Sequence, residues 1–120
     1  MKEQNRERHP FFKAGVDHFE SKGTKVIEVP EWGEDDDNPA VIYADPLTMR
    51  EAAKVYRGIQ KDDLTAHCDV LIMKARDKDG NRVFSPADKM IMLSKLDPGV
   101  ISRISSEILE TLSFEDAEKN

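Results

Sequence analysis

Two five-residue segments rich in β-branched side chains limit the folds open to this chain. KVIEV (25–29) and AVIYA (40–44) are bounded by Gly, Pro, Asn and Asp, the residues that punctuate strands. Between them lies PEWGEDDDNP, a long acidic connection. The pattern predicts a β-hairpin over residues 24–45.

Helix signals follow the hairpin. Thr48 precedes MREAAKVYRG and Glu51 comes three residues later, a capping-box spacing that predicts a helix over 48–58. A second helix is predicted over 62–76, with Asp62 or Asp63 as its cap. The apolar face of the first is expected to carry Met49, Ala52, Ala53 and Tyr56. That of the second is expected to carry Leu64, Cys68, Leu71, Ile72 and Ala75.

Two further helices each begin at a proline. Ser85-Pro86 predicts a helix over 85–96, and Asp97-Pro98 predicts another over 97–112, because proline at the first helical position loses no hydrogen bond. The buried stripe of the last helix is expected to contain Ile101, Ile104, Ile108 and Leu112. The apolar run MIML (90–93) favours a central helix buried on two sides, with a Met-rich partner surface as the alternative.

The fold class predicted is α+β, mainly α, with an N-terminal β-hairpin followed by about four helices. A length of 120 residues suits a single domain, placed at 10–112. Residues 1–9 are polar and predict a disordered extension, and FFKAGVDHFESKG predicts a short, weak helix ending before Gly23. Residues 113–120 form an acidic C-terminal tail.

The segment DKDGNRVFSPAD (77–88) places oxygen-bearing side chains at alternating positions, as a calcium loop does. A calcium loop needs glycine at its sixth position, however, and Arg82 stands there; shifting the register to Gly80 puts Ala75 and Pro86 at ligand positions. A tight turn at Gly80 followed by a helix start at Ser85 explains the same residues, and we predict no metal site.

Other catalytic patterns are missing from the sequence. Cys68 is the only cysteine, and its helical neighbour His67 points about 100° away from it, so the two cannot act as nucleophile and base. No phosphate-binding glycine loop or nucleophile elbow is present. We therefore predict a chain that is not an enzyme and uses no cofactor, with Cys68 as a core residue.

Charge and hydropathy exclude two classes of partner. The net charge is −6, and acids concentrate in EDDD (34–37) and in the tail, so a basic footprint for nucleic acid is lacking. The longest apolar runs are too short to span a bilayer, and no apolar segment follows the charged first residues as in a signal peptide. We expect no nucleic-acid partner and no membrane contact.

Three segments together carry a resemblance to a known family: GTKVIEVPEWG (23–33), VIYADPLTMREAAKVYRG (41–58) and KARDKDGNRVFSPADK (74–89). Over roughly residues 10–112 the chain resembles the tail assembly chaperones of bacteriophages with long, flexible tails. The hairpin and the first capped helix are the most specific part of this resemblance.

The resemblance implies a non-catalytic, oligomeric protein of the infected bacterial cytoplasm that is absent from the mature virion. Its partners would be the tape-measure protein, which it holds, and the tail-tube protein, which polymerises around that complex. A helix-in-groove grip would suit a long helical partner. The candidate partner-binding residues are Phe11, Phe12, Trp32, Met90 and Met92, and core packing is an equal alternative for each.

Other functions stay open at this point. The acidic run also fits a small regulatory or DNA-mimic protein, and a structural tail or connector component is a third possibility. The family further suggests a frameshifted longer form, because Glu118-Lys119-Asn120 can be encoded by GAA AAA AAC, which contains a slippery heptamer.

Overall fold

The computed structural model describes residues 7–61 and 63–110, and these form five α-helices and one two-stranded antiparallel sheet. The predicted α+β, mainly α, class is confirmed. The elements are α1 (Pro10–Ser21), β1 (Lys25–Val29), β2 (Ala40–Ala44), α2 (Met49–Gln60), α3 (Ala66–Lys74), α4 (Lys89–Lys95) and α5 (Pro98–Leu109). Predictions for residues 1–6, Asp62, Leu112 and the tail 113–120 lie outside the described residues.

The hairpin prediction is confirmed. Strands β1 and β2 pair antiparallel with Ile27 opposite Ile42, so their buried side chains share one face of the sheet. Within β2, the backbone N–H and C=O of Tyr43 exchange hydrogen bonds with Arg76, at 2.8 and 2.9 Å. This bridge ties the end of α3 to the sheet.

The core lies between the sheet and helices α3 and α5. Helix α3 packs against α5 and α2, and α5 packs against β1. On α5, Ile101, Ile104 and Ile108 are buried as predicted, and Cys68 on α3 is a core residue, also as predicted. Asp97 caps α5, since its carboxylate accepts a hydrogen bond from the Val100 N–H at 3.0 Å.

The capping box predicted for α2 is confirmed, but the predicted set of buried residues on this helix is not. The Thr48 hydroxyl accepts from the Glu51 N–H at 3.2 Å, and the Glu51 carboxylate accepts from the Thr48 N–H at 3.0 Å. However, Val55 is the buried residue of the helix, while Met49 is 86% exposed. The prediction failed because Val55 belongs to the core and Ala52 packs against it, whereas Met49 and Tyr56 are exposed.

Helix α3 is shorter than the predicted 62–76. It begins after an Asp63 turn, in which the Asp63 carboxylate accepts from the N–H and hydroxyl of Thr65. Leu64 therefore stands before the helix and is exposed, contrary to its predicted place on the buried face. The helix ends at Lys74 because Ala75 is already extended and leads into the bridge of Arg76.

The segment 77–88 is a turn followed by a helix start, as predicted. One Asp77 carboxylate oxygen accepts from the N–H groups of Asp79 and Asn81, both at 2.9 Å, and Gly80 has φ 85°. Next, the Ser85 N–H donates to the Asp88 carboxylate at 2.8 Å. A 3-10 turn at Pro86–Asp88 precedes α4, so the α-helix proper is shorter than the predicted 85–96.

Candidate functional site

Helix α1 is amphipathic and exposed along its whole length. Its four large apolar residues fall on an arc of about 140° at 100° per residue, and none of its twelve residues is buried. Phe11 is 80% exposed, and the other large apolar residues of this face are exposed as well. We call Phe11, Phe12, Gly15, Val16 and Phe19 the α1 face.

Local signals define both ends of α1. The His9 ring nitrogen Nδ1 accepts a hydrogen bond from the Phe11 N–H at 3.0 Å, and Pro10 occupies the first turn. At the other end Gly23 adopts φ 75°, the left-handed conformation that commonly follows a helix. The predicted weak helix ending before Gly23 is confirmed. Its lack of burial was not predicted, because periodicity does not reveal whether another element covers a face.

Helix α4 presents a second apolar surface. Met92 is only 3% exposed and belongs to the core, whereas Met90 is 73% exposed, and Ile91 and Leu93 are exposed too. The favoured expectation of a helix buried on two sides is therefore wrong. A seven-residue helix at the edge of the domain has room to bury one side chain of the run MIML. Met92 lies on the core side of α4.

A groove of about 230 Å³ lies between α3, α4 and the start of α5. Leu64 and Leu93 are exposed at this groove, and Met92 and Ile101 are among its buried lining residues. Its walls are more apolar than polar, and Thr65 and Ser102 are among its lining residues. Helix α1 does not line it. We call this the α3–α4–α5 groove.

Trp32 lies apart from the other candidate residues. It is half-buried against the core in the turn after β1, and its ring meets Phe84 edge to face, with centroids 6.0 Å apart. Gly33 and Asn38, further along the hairpin connection, border an open, mainly polar depression beside it. Trp32 therefore packs the hairpin connection onto the body.

The five candidate residues do not form a single surface. Phe11 and Phe12 lie on α1, Met90 on α4, and the remaining two pack into the body. Sequence reasoning placed Leu64 on a buried face, and it gave exposure of Ile91 and Leu93 only as the alternative for the run MIML. The four consecutive apolar residues of MIML were the available signal, since successive helical residues point 100° apart and one neighbour cannot cover them all.

Cys68 and Ser105, two side chains of a type that can act as nucleophiles, are buried. Burial raises the pKa of the Cys68 thiol, which keeps it protonated near neutral pH and weakens it as a nucleophile. The Ser105 hydroxyl is fully buried and lies 2.7 Å from the His67 ring nitrogen Nδ1. This contact couples α3 to α5, and a substrate has no access to that hydroxyl.

Charged residues join the hairpin to α5. Arg103 donates two hydrogen bonds to the Glu31 carboxylate, at 2.5 and 2.8 Å, and Lys25 pairs with Glu110 at the other end of β1. The Arg103 hydrogen bonds lower the pKa of Glu31 to about 2. These pairs hold the hairpin against α5 from both ends.

The acidic run Glu34–Asp37 belongs to the tight turn of the hairpin connection. Asp35 accepts from the Asp37 N–H and from the Asn38 side chain, both at 2.9 Å. Within residues 7–61 and 63–110, no cluster of His, Cys, Asp and Glu is arranged to hold a metal ion.

Among the described residues, 7–61 and 63–110, no helix is long and apolar enough to cross a membrane. No protein-family model matches the sequence, and neither a curated protein nor a solved structure is similar to it.

Proposed function

We propose that the chain is a non-catalytic assembly chaperone that holds an apolar helical segment of another protein. Following the resemblance of residues 10–112, the partner is the tape-measure protein of a bacteriophage tail in the cytoplasm of the infected host. The observation that carries the proposal is the α1 face, where three phenylalanines and a valine stand in solvent on one helix.

Such a surface is characteristic of a binding protein. Single exposed apolar residues are common on folded proteins, but a contiguous group of large ones marks an interaction site. An amphipathic helix of this kind binds by laying its apolar face against an apolar stripe or groove of a partner. A tape-measure protein, as a long helical chain, would present apolar stripes along its helices.

The exposed side of α4 adds a second contact of the same chemistry. Met90 and its neighbours Ile91 and Leu93 present flexible and branched apolar groups. Methionine side chains adapt to partners of varied shape, which suits a chaperone that holds many places along one long chain. The tail-tube protein would then displace these contacts as it polymerises around the tape measure.

The test is co-expression with the tape-measure protein encoded nearby, measuring the fraction of that protein that stays soluble. The wild-type chain is expected to keep it soluble. The double variant Phe12→Ala/Phe19→Ala should lose this effect, since it removes two rings of the α1 face. The control Val26→Ala/Met49→Ala removes two exposed apolar side chains elsewhere and should behave as wild type.

Two results would contradict the proposal. If the tape-measure protein were equally soluble with and without this chain, the chaperone function would be wrong. If the double variant kept the tape-measure protein as soluble as wild type does, the α1 face would not be the surface that binds it. A chain found in purified virions would instead be a structural tail component.

The alternative of a small regulatory or DNA-mimic protein has one observation in its favour, the exposed acidic run Glu34–Asp37. Replacing these four residues by their amides tests it within the same experiment. The chaperone proposal expects the tape-measure protein to remain soluble with that variant. Loss of solubility would assign the activity to the acidic turn.

A further inference from the structure

One face of α2 carries a row of positive charges. Arg50, Lys54 and Arg57 lie on this helix at spacings of four and three residues, and Lys61 follows four residues later at its C-terminal end. At 100° and 1.5 Å per residue, the four fall within an arc of about 60° and extend over about 16 Å. All four are exposed. We call Arg50, Lys54, Arg57 and Lys61 the α2 basic row.

The acids closest to this row have other hydrogen-bond partners. Glu51 is the single acid of α2, and its carboxylate accepts a hydrogen bond from the Lys74 ammonium at 3.0 Å. Asp63 attracts Lys61 weakly, but its carboxylate accepts from the N–H and hydroxyl of Thr65. None of the ion pairs within residues 7–61 and 63–110 includes a member of the row.

This arrangement opposes the stability of α2. Helical neighbours of like charge four residues apart repel each other, and both Arg50 with Lys54 and Arg57 with Lys61 are such pairs. Arg50 also stands in the first turn, where the helix dipole favours a negative charge. The exposed pair on α1 shows the favourable alternative, a lysine and an aspartate at the same spacing. Departures of this kind from local stability are expected at functional sites.

We propose that the α2 basic row binds an acidic helical segment of another protein. Carboxylates on a helix at spacings of four, three and four residues would form a matching row of the same length. Arg50 and Arg57 contribute guanidinium groups, which hold a carboxylate through two parallel hydrogen bonds. The inference goes beyond the proposed function and does not rest on it, because the α1 face and the α2 basic row are separate surfaces with different chemistry.

A protein segment is favoured over nucleic acid. Phosphates continue along DNA or RNA on both sides of a contact, so a chain of net charge −6 with an exposed acidic run at Glu34–Asp37 would repel them. An acidic helix can end where the row ends. In addition, Ala53 and Tyr56 are exposed one residue before Lys54 and Arg57, and they border the row with apolar surface. That border suits the apolar side of an amphipathic helix.

The test titrates the full chain, labelled with nitrogen-15, with a synthetic helical peptide whose glutamates have the spacing of the row. A control peptide has the same composition, with its glutamates spread around the helix. At physiological ionic strength, screening confines the attraction to charges within about 8 Å. The amide signals of α2 are expected to shift with the matched peptide and much less with the control. No binding of the matched peptide, or equal binding of both, would overturn the proposal.

Charge reversal locates the contact. Lys54→Glu/Arg57→Glu should weaken binding of the matched peptide at least about tenfold. The control Lys78→Glu/Lys95→Glu makes the same change in net charge at two other exposed positions and should bind as wild type. A peptide with lysine in place of its two middle glutamates should restore binding to the first variant, as a direct pairing of charges requires. Undiminished binding of the original peptide by that variant would contradict the assignment of the row.

Stability separates binding from a structural role. Lys54→Glu/Arg57→Glu replaces the repulsions with Arg50 and Lys61 by attractions, so this variant should unfold at no lower urea concentration than wild type. A clear loss of stability would mean that the row serves the fold of its own chain. Duplex DNA is the last probe. If it bound more tightly than the matched peptide and this variant abolished its binding, the row would be a nucleic-acid contact and the proposal would be wrong.

Discussion

The Glu31 carboxylate and the Arg103 guanidinium form the best-defined ion pair between distant parts of the chain. The two hydrogen bonds from Arg103 lower the pKa of Glu31 from an ordinary 4.5 to about 2. Protonation of Glu31 therefore opposes folding, and the pair contributes stability above about pH 4.5 that is lost as the pH falls towards 2.

Arg103→Gln should thus destabilise the fold in a pH-dependent way. The loss of unfolding free energy relative to wild type should be full at pH 6 and shrink to a small part of that value near pH 2, where half of the wild-type Glu31 carboxyls are already protonated. Urea unfolding followed by fluorescence of Trp32, the single tryptophan, measures this. Lys13→Gln, which breaks the exposed pair with Asp17 on α1, is the control and should have no effect on this transition. A deficit of Arg103→Gln that persisted at pH 2 would contradict the assignment.

Gly33 occupies the closest backbone approach in the hairpin connection. A Cβ added there would overlap the carbonyl oxygen of Asn38 and the Cα of Pro39, both of which are backbone atoms that cannot rotate away. Gly33→Ala should therefore lower the unfolding free energy by about 1–3 kcal/mol, as overpacking does. The same substitution at Gly15, where the added Cβ meets nothing, serves as the matched control in urea unfolding and should cost nothing.

Among the elements, α2 depends on its capping box. Burial alone would raise the pKa of Glu51, but the Thr48 N–H and the Lys74 ammonium donate to its carboxylate and make the net pKa shift downward. Glu51 therefore completes the cap of α2 and also joins α2 to α3.

Thr48→Ala should cost about 1 kcal/mol of unfolding free energy, because the Glu51 N–H loses its acceptor. Thr48→Ser keeps the hydroxyl and should retain most of the stability. Guanidinium titrations of the three proteins at pH 7 supply the comparison. Equal stability of the alanine and serine variants would show that the cap hydrogen bond contributes nothing.

Sequence and structure agree where a local signal defines an element. The Thr48 cap, the Gly80 turn and the Asp97-Pro98 helix start all depend on residues within a few positions of each other, and each strand of the hairpin is signalled by its own five residues. Burial is different, because it depends on which neighbour covers a face. Met90 and Met92 have the same chemistry and lie two residues apart, yet only Met92 faces the core.

The candidate site was predictable only in part for the same reason. Phe11 and Phe12 were identified, and they lie on an exposed helix face. The groove at Leu64 and Leu93 could not be predicted, since it forms where three helices meet and no sequence pattern fixes that junction. Whether an apolar face is exposed depends on how the whole chain folds.

At the scale of the whole molecule, the chain combines a packed body with a helix that contributes nothing to its core. The body contains the hairpin and α2 to α5, joined by the core residues and by ion pairs between the hairpin and α5. Helix α1 precedes it through Lys22, Gly23 and Thr24. Removing α1 should therefore leave the intrinsic stability of the body intact.

A chain that begins at Lys22 should unfold at the same temperature as the full chain when both are dilute. Helix α1 has no buried residue, so its removal takes away no core contact. Calorimetry of both chains at one low concentration measures the two midpoints, and Gly15→Glu, which changes α1 alone, should unfold with the full chain. A lower midpoint for the shortened chain would mean that α1 stabilises its own body.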